Sequence, residues 1–110
     1  MIVEHKENHT VIKDAHDNID SFSEDLLNEW TDFKDQNIII DLTHNSNITS
    51  TSIKQFVSIS KLHKKNNKSF VIVANTIDYN SVPVSLTLVP TILEAQDIIN
   101  MEEIERDLGF

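Results

Sequence analysis

The chain has 110 residues and carries 9 Lys and Arg against 18 Asp and Glu, a net charge of -9. That length fits one domain, and the acidic balance argues against binding nucleic acid or an anionic membrane, both of which need clustered cations. With no cysteine there are no disulfides, thiolate nucleophiles or Cys-based zinc sites, and a single glycine, Gly109, leaves no glycine-rich loop to cradle phosphates.

No basic-then-apolar leader opens the chain, and no apolar run approaches the roughly 18 residues of a membrane span, so a soluble, cytoplasmic protein is expected. Residues 1–7 and 9–14 read as two short strands meeting near Asn8. Ile2, Val3, Val11 and Ile12 are flanked by charge, as in a hairpin or an exposed sheet edge. His5 and His9 lack a third ligand at a supporting spacing, so they read as surface histidines and no metal is expected.

Ser21 followed by Glu24 forms a capping box, predicting a helix from Ser21 to about Asp35 with Phe22, Leu26, Trp30 and Phe33 as its apolar stripe. Trp30 lies on the face that must be buried and reads as core. Residues 37–42 then give an apolar run rich in β-branched side chains and without alternation, the pattern of a strand buried on both faces. Residues 69–74 repeat it. Between them, Ile53, Phe56, Val57 and Ser60 recur at helical spacing, and Lys61, His63, Lys64 and Lys65 place cations where a helix C-terminus favours them. Strand, helix and strand make a βαβ unit.

The connection after Leu42 is dense in hydroxyls and amides, from Thr43 and His44 through Thr49, Ser50, Thr51 and Ser52. Such a loop, between a strand's C-terminal end and a helix N-terminus, is where open α/β sheets place their sites. Its Ser and Thr residues also suit plain capping of the helix. Asp41 with His44 is the best local acid/base pair, but no Cys nucleophile, second carboxylate or oxyanion loop accompanies it. The more economical role for Asp41 is to cap the loop that follows, and no catalytic residue or enzyme activity is expected.

Residues 84–89 alternate as a half-buried strand, a pattern that also suits an edge of the sheet. Thr91 with Glu94 forms a second capping box, opening a helix buried through Ile92, Ala95, Ile98 and Ile99. In the segment 101–110, Met101, Ile104, Leu108 and Phe110 recur every three to four residues among acidic neighbours. That stripe either packs back on the domain or docks elsewhere.

The residues Asp41, Leu42 and Thr43, followed by 48–53 opening a helix, resemble the core of STAS domains, the anti-sigma-factor-antagonist class. The resemblance implies an α/β fold: a STAS-like single domain over residues 1–100 with a mixed central sheet, elements in the order β-β-α-β-α-β-α, and an acidic amphipathic C-terminal tail over 101–110. In that family the loop before the helix reads Asp-Ser-x-Gly, and a partner kinase phosphorylates its Ser. Ser50 stands at that Ser, while Thr49 replaces the Asp and Ser52 the Gly.

The resemblance therefore implies a non-enzymatic regulatory module that binds a protein partner, of kinase or anti-sigma type, through the 43–52 loop and the following helix, with Ser50 as the candidate for phospho-regulation. The expected contact residues are Thr43, His44, Thr49, Ser50, Thr51 and Ser52. No cofactor, nucleic acid or membrane is implied. Bacterial STAS-like proteins with a closely similar ending often carry the label ribonuclease Z. Those nucleases need a His-x-His-x-Asp-His cluster, which His5, His9, His16, His44 and His63 do not form. The label points instead to an accessory subunit, docking through the tail onto an enzyme such as ribonuclease Z. A small-ligand or nucleotide sensor using the 43–52 loop is a further alternative.

Overall fold

The computed structural model describes residues 1–109 and shows a five-stranded mixed sheet in the order β1-β2-β3-β4-β5. β1 (Ile2–His5) runs antiparallel to β2 (Thr10–Lys13), and their hairpin closes where the Lys6 N–H donates to the His9 carbonyl at 2.8 Å. β3 (Ile38–Asp41), β4 (Phe70–Val73) and β5 (Thr87–Val89) continue parallel to β2. Thr10, Ile38 and Phe70 stand side by side across the sheet. β3 and β4 are fully buried along their length, as their unbroken apolar runs require.

Alternation within these strands splits the core in two. On one face Ile12, Ile38, Ile40, Phe70 and Ile72 pack against Phe22, Leu26 and Phe33 and against Ile53, Phe56 and Ile59. On the other, Val11, Ile39, Val71 and Val73 meet Ala95 and Ile99. The first face is covered by α1 (Ile19–Asn28), α2 (Ser50–Lys54) and α3 (Val57–Lys65), and the second by α4 (Ile92–Asp107). Among the described residues no helix is long and apolar enough to cross a membrane.

Several local expectations shift. The N-cap of α1 is Asn18, whose side-chain oxygen accepts the Ser21 N–H at 3.2 Å, so Ser21 lies inside the helix. Asn is as good a cap as Ser, and the Asp14 carboxylate fixes the Asn18 N–H at 2.7 Å. The helix stops at Asn28, and a tight turn, Trp30–Asp32, carries Trp30 and Phe33 onto the core.

The single helix expected from the spacing of Ile53, Phe56, Val57 and Ser60 is two, broken at Gln55 and Phe56. The bend seats the Phe56 ring edge-on to Phe22, with centroids 6.1 Å apart. It also lets Gln55 reach α1, donating to Asp20 at 2.6 Å and accepting from the Ser23 hydroxyl at 2.9 Å. The last strand covers only Thr87–Val89, and Val84 stands free in solvent.

Two histidines are not where the sequence puts them. His63 is fully buried and not one of the cations at the end of α3, while His9 is buried and not a surface residue. Neighbouring strands and turns make these environments, which their local charge patterns do not reveal. α4 runs through residue 100 without a break, so residues 101–107 are a continuation of it.

Candidate functional site

The C-terminal ends of β2 and β3 share one edge of the sheet, and the loops leaving them are laced together by carboxylates. Asp41 ends β3, and its Oδ1 accepts the Thr43 N–H at 3.0 Å and the Thr43 hydroxyl at 2.7 Å, which turns the chain out of the sheet. Asn45 then donates to Asp14 at 2.9 Å. The Ser46 N–H donates to Asp17 at 2.8 Å, and the Ser46 hydroxyl donates to the other oxygen of the same carboxylate. Asp14 also receives the His16 N–H at 3.0 Å.

Asp17 and Asn47 both take left-handed backbone conformations, with φ of 49° and 56°. Short polar side chains of this kind tolerate that region better than others. The hydrogen bonds from the Ser46 side chain and backbone hold the Asp17 carboxyl below its ordinary value. Anchored at both carboxylates, the loop has a defined backbone.

Thr49 closes it as the N-cap of α2, with its hydroxyl oxygen accepting the Ser52 N–H at 3.2 Å and lying 3.1 Å from the Ser52 hydroxyl. Ser50 is the first residue of α2 and half-buried, and its hydroxyl has no hydrogen-bond partner among the described residues. Thr51 and His44 are exposed. No hydrogen bond joins Asp41 to His44 among the described residues, and Thr43 takes Oδ1 of Asp41.

Of the six residues expected at this edge, the structure links Thr49 with Ser52 directly and holds Thr43 against Asp41. His44, Ser50 and Thr51 have no side-chain hydrogen-bond partner among the described residues. Sequence reasoning missed Asp14 and Asp17. They sit in the loop after β2, at a sequence separation of 31 from Asn45 and 29 from Ser46, and no local pattern announces such pairings.

The opposite edge holds a second polar assembly that no motif marks. Asn37 is buried there, donating to the Asn8 carbonyl at 2.9 Å and to Glu103 at 2.6 Å. Its oxygen accepts the Ser69 N–H at 2.9 Å and a guanidinium N–H of Arg106 at 3.3 Å. Arg106 also pairs with Glu103 at 2.8 Å. These contacts turn the polar side of α4's last turns toward the sheet. Met101, Ile104 and Leu108 of the expected docking stripe remain exposed, and Phe110 lies outside the described residues.

No curated protein matches the chain. The family model of the STAS domain matches residues 15–82, more than half of the sequence, and covers α1, β3, the 43–52 loop, α2, α3 and β4. With its mixed sheet and helices on both faces, the chain belongs to the STAS domain family.

Proposed function

We propose that the protein is a non-enzymatic regulatory module that binds a protein partner through the 43–52 loop and α2, with Ser50 as the phosphoryl acceptor. STAS domains in general are regulatory modules that bind protein partners. The observation that carries the reading is the state of Ser50, whose hydroxyl, without a partner among the described residues, opens α2 on a loop already fixed by Asp14 and Asp17. A fixed loop loses little conformational entropy on binding. A phosphate on Ser50 would add charge and acceptor oxygens beside Thr49 and Ser52. The net charge of -9 favours a protein partner over nucleic acid or membrane.

The test is capture of partners from native lysate by the full chain and by the Ser50→Tyr, Ser52→Tyr double variant, with mass spectrometry for bound proteins and for phosphate on Ser50. A kinase or anti-sigma-type protein bound by the wild type and lost by the folded variant is expected. An unchanged set of partners would overturn the reading.

The exposure of Met101, Ile104 and Leu108 favours a second reading. Here the chain is an accessory subunit docking through those residues and Phe110 onto an enzyme such as ribonuclease Z. Loss of an enzyme partner on removal of residues 101–110, with Ser50 unmodified, would select it.

A further inference from the structure

α4 is apolar on two opposite sides. Ala95 and Ile99 enter the core, while Glu102, Glu103 and Arg106 bind Ser69 and Asn37. The helix is therefore pinned by its inner face along its whole length. On the outer face Leu93, Met101, Ile104 and Leu108 are 68%, 60%, 59% and 66% exposed. At 3.6 residues per turn these four positions fall within an arc of about 80°. Met101, Ile104 and Leu108 follow one another on successive turns and form a patch of the kind that marks an interaction surface, with Leu93 set apart from them by Asp97.

The rim of that patch identifies its occupant. Asp97 lies on this same face between Leu93 and Met101, and Glu94, Glu105 and Asp107 border it, all four exposed and none in an ion pair among the described residues. The one cation of α4, Arg106, is turned inward. A second copy of this chain would bring the same carboxylates against these, and an anionic lipid surface would be repelled as well. Complementary charge and shape belong to an amphipathic helix whose apolar stripe is flanked by Lys and Arg, read at i, i+3, i+4 and i+7 spacing.

We propose that the outer face of α4 is a docking surface for a basic amphipathic helix of a partner protein. This deepens the accessory-subunit reading and rests on it, and it is separate from the 43–52 loop.

The probe is a synthetic helix of about 18 residues, five turns long, with a leucine stripe flanked by lysines. A control peptide carries the same stripe flanked by glutamates. Both are titrated into the isotope-labelled full chain and followed by amide shifts. The lysine peptide should move the amides of residues 93–108 first, bind more weakly as salt rises, and lose about tenfold in affinity against Met101→Ser, Ile104→Ser. Leu27→Ser, which removes an exposed leucine on α1, should leave binding unchanged.

Equal affinity for the double variant, equal binding of the glutamate peptide, or shifts confined to other acidic surfaces would overturn the proposal. So would self-association through α4 or preferential binding to anionic vesicles. Capture from lysate by the same double variant separates the two levels. If it loses its enzyme partner while the lysine peptide fails to bind, the partner's chemistry is wrong and the accessory reading stands. If it retains every partner, both fall.

Discussion

The indole N–H of Trp30 donates to Nδ1 of His63 at 3.0 Å, which fixes the proton of that imidazole on Nε2, where it donates to the Gln36 carbonyl at 2.6 Å. His63 is thus held neutral between two partners, with Phe70 edge-on at 5.9 Å. Burial lowers its pKa, the Gln36 carbonyl opposes that shift and Lys68 adds to it. His9 is shifted the same way, by burial and then by Lys6.

A histidine with a lowered folded pKa stabilises fully above its unfolded value of about 6.5, and that stability is lost as pH falls toward the folded pKa. Melting temperature should therefore decline between about pH 7.5 and pH 5, the range spanning the unfolded value. His63→Leu should melt lower at pH 7.5 and show a flatter profile, with the remaining slope due to His9. Parallel profiles for wild type and variant would refute this account.

The start of α1 gives a sharper comparison. Asn18→Ala removes the oxygen that accepts the Ser21 N–H and should cost about 1 kcal/mol. Ser21→Ala should change stability by no more than a few tenths, since its side chain caps nothing. Thr91→Ala, at the cap of α4, should resemble Asn18→Ala. Urea unfolding of the three variants reads the difference directly.

Asn37 makes four side-chain hydrogen bonds, two to α4 and one each to Asn8 and Ser69. Asn37→Ala leaves the Ser69 N–H and the Asn8 carbonyl short of partners and should cost about 3 kcal/mol. The Glu103 carboxyl, held low first by Asn37 and then by Arg106, should titrate closer to its ordinary value in the variant. Carbon-detected NMR of Glu103 through an acid titration would show that rise, and an unmoved midpoint would count against the assigned cause.

Asp17 anchors the middle of the candidate loop. Asp17→Ala should speed exchange of the Ser46 amide, which loses its acceptor, while the amides of β3 and β4 keep their protection. Exchange at Ser46 unchanged from wild type would show that the loop does not depend on this carboxylate.

How much of this was legible follows from how local each signal is. β3 and β4 announce themselves because a strand buried on both faces must be apolar throughout, and Thr91 is found as a cap because its partner lies three residues away. The loop after Asp41 lies between β3 and α2, as the strand and helix patterns on either side of it require.

What stayed hidden depends on distant neighbours. His63 reads as one more cation until Trp30 and Gln36, at separations of 33 and 27 residues, surround it. Asn37 has no motif because its partners come from the first hairpin, the residue before β4, and α4. Helical spacing finds the stripe of Met101, Ile104 and Leu108, but it gives no sign that Arg106 and Glu103 would claim the inward side.

Among the described residues α4 alone covers one face of the sheet, so that layer can open on its own. Its release uncovers Val11, Ile39, Val71 and Val73 together while the core beneath α1, α2 and α3 stays packed. The amides of α4 should therefore exchange as a group, at a free energy below that of global unfolding. Anything that seizes the outer face of this helix would slow that opening and protect a sheet it never touches.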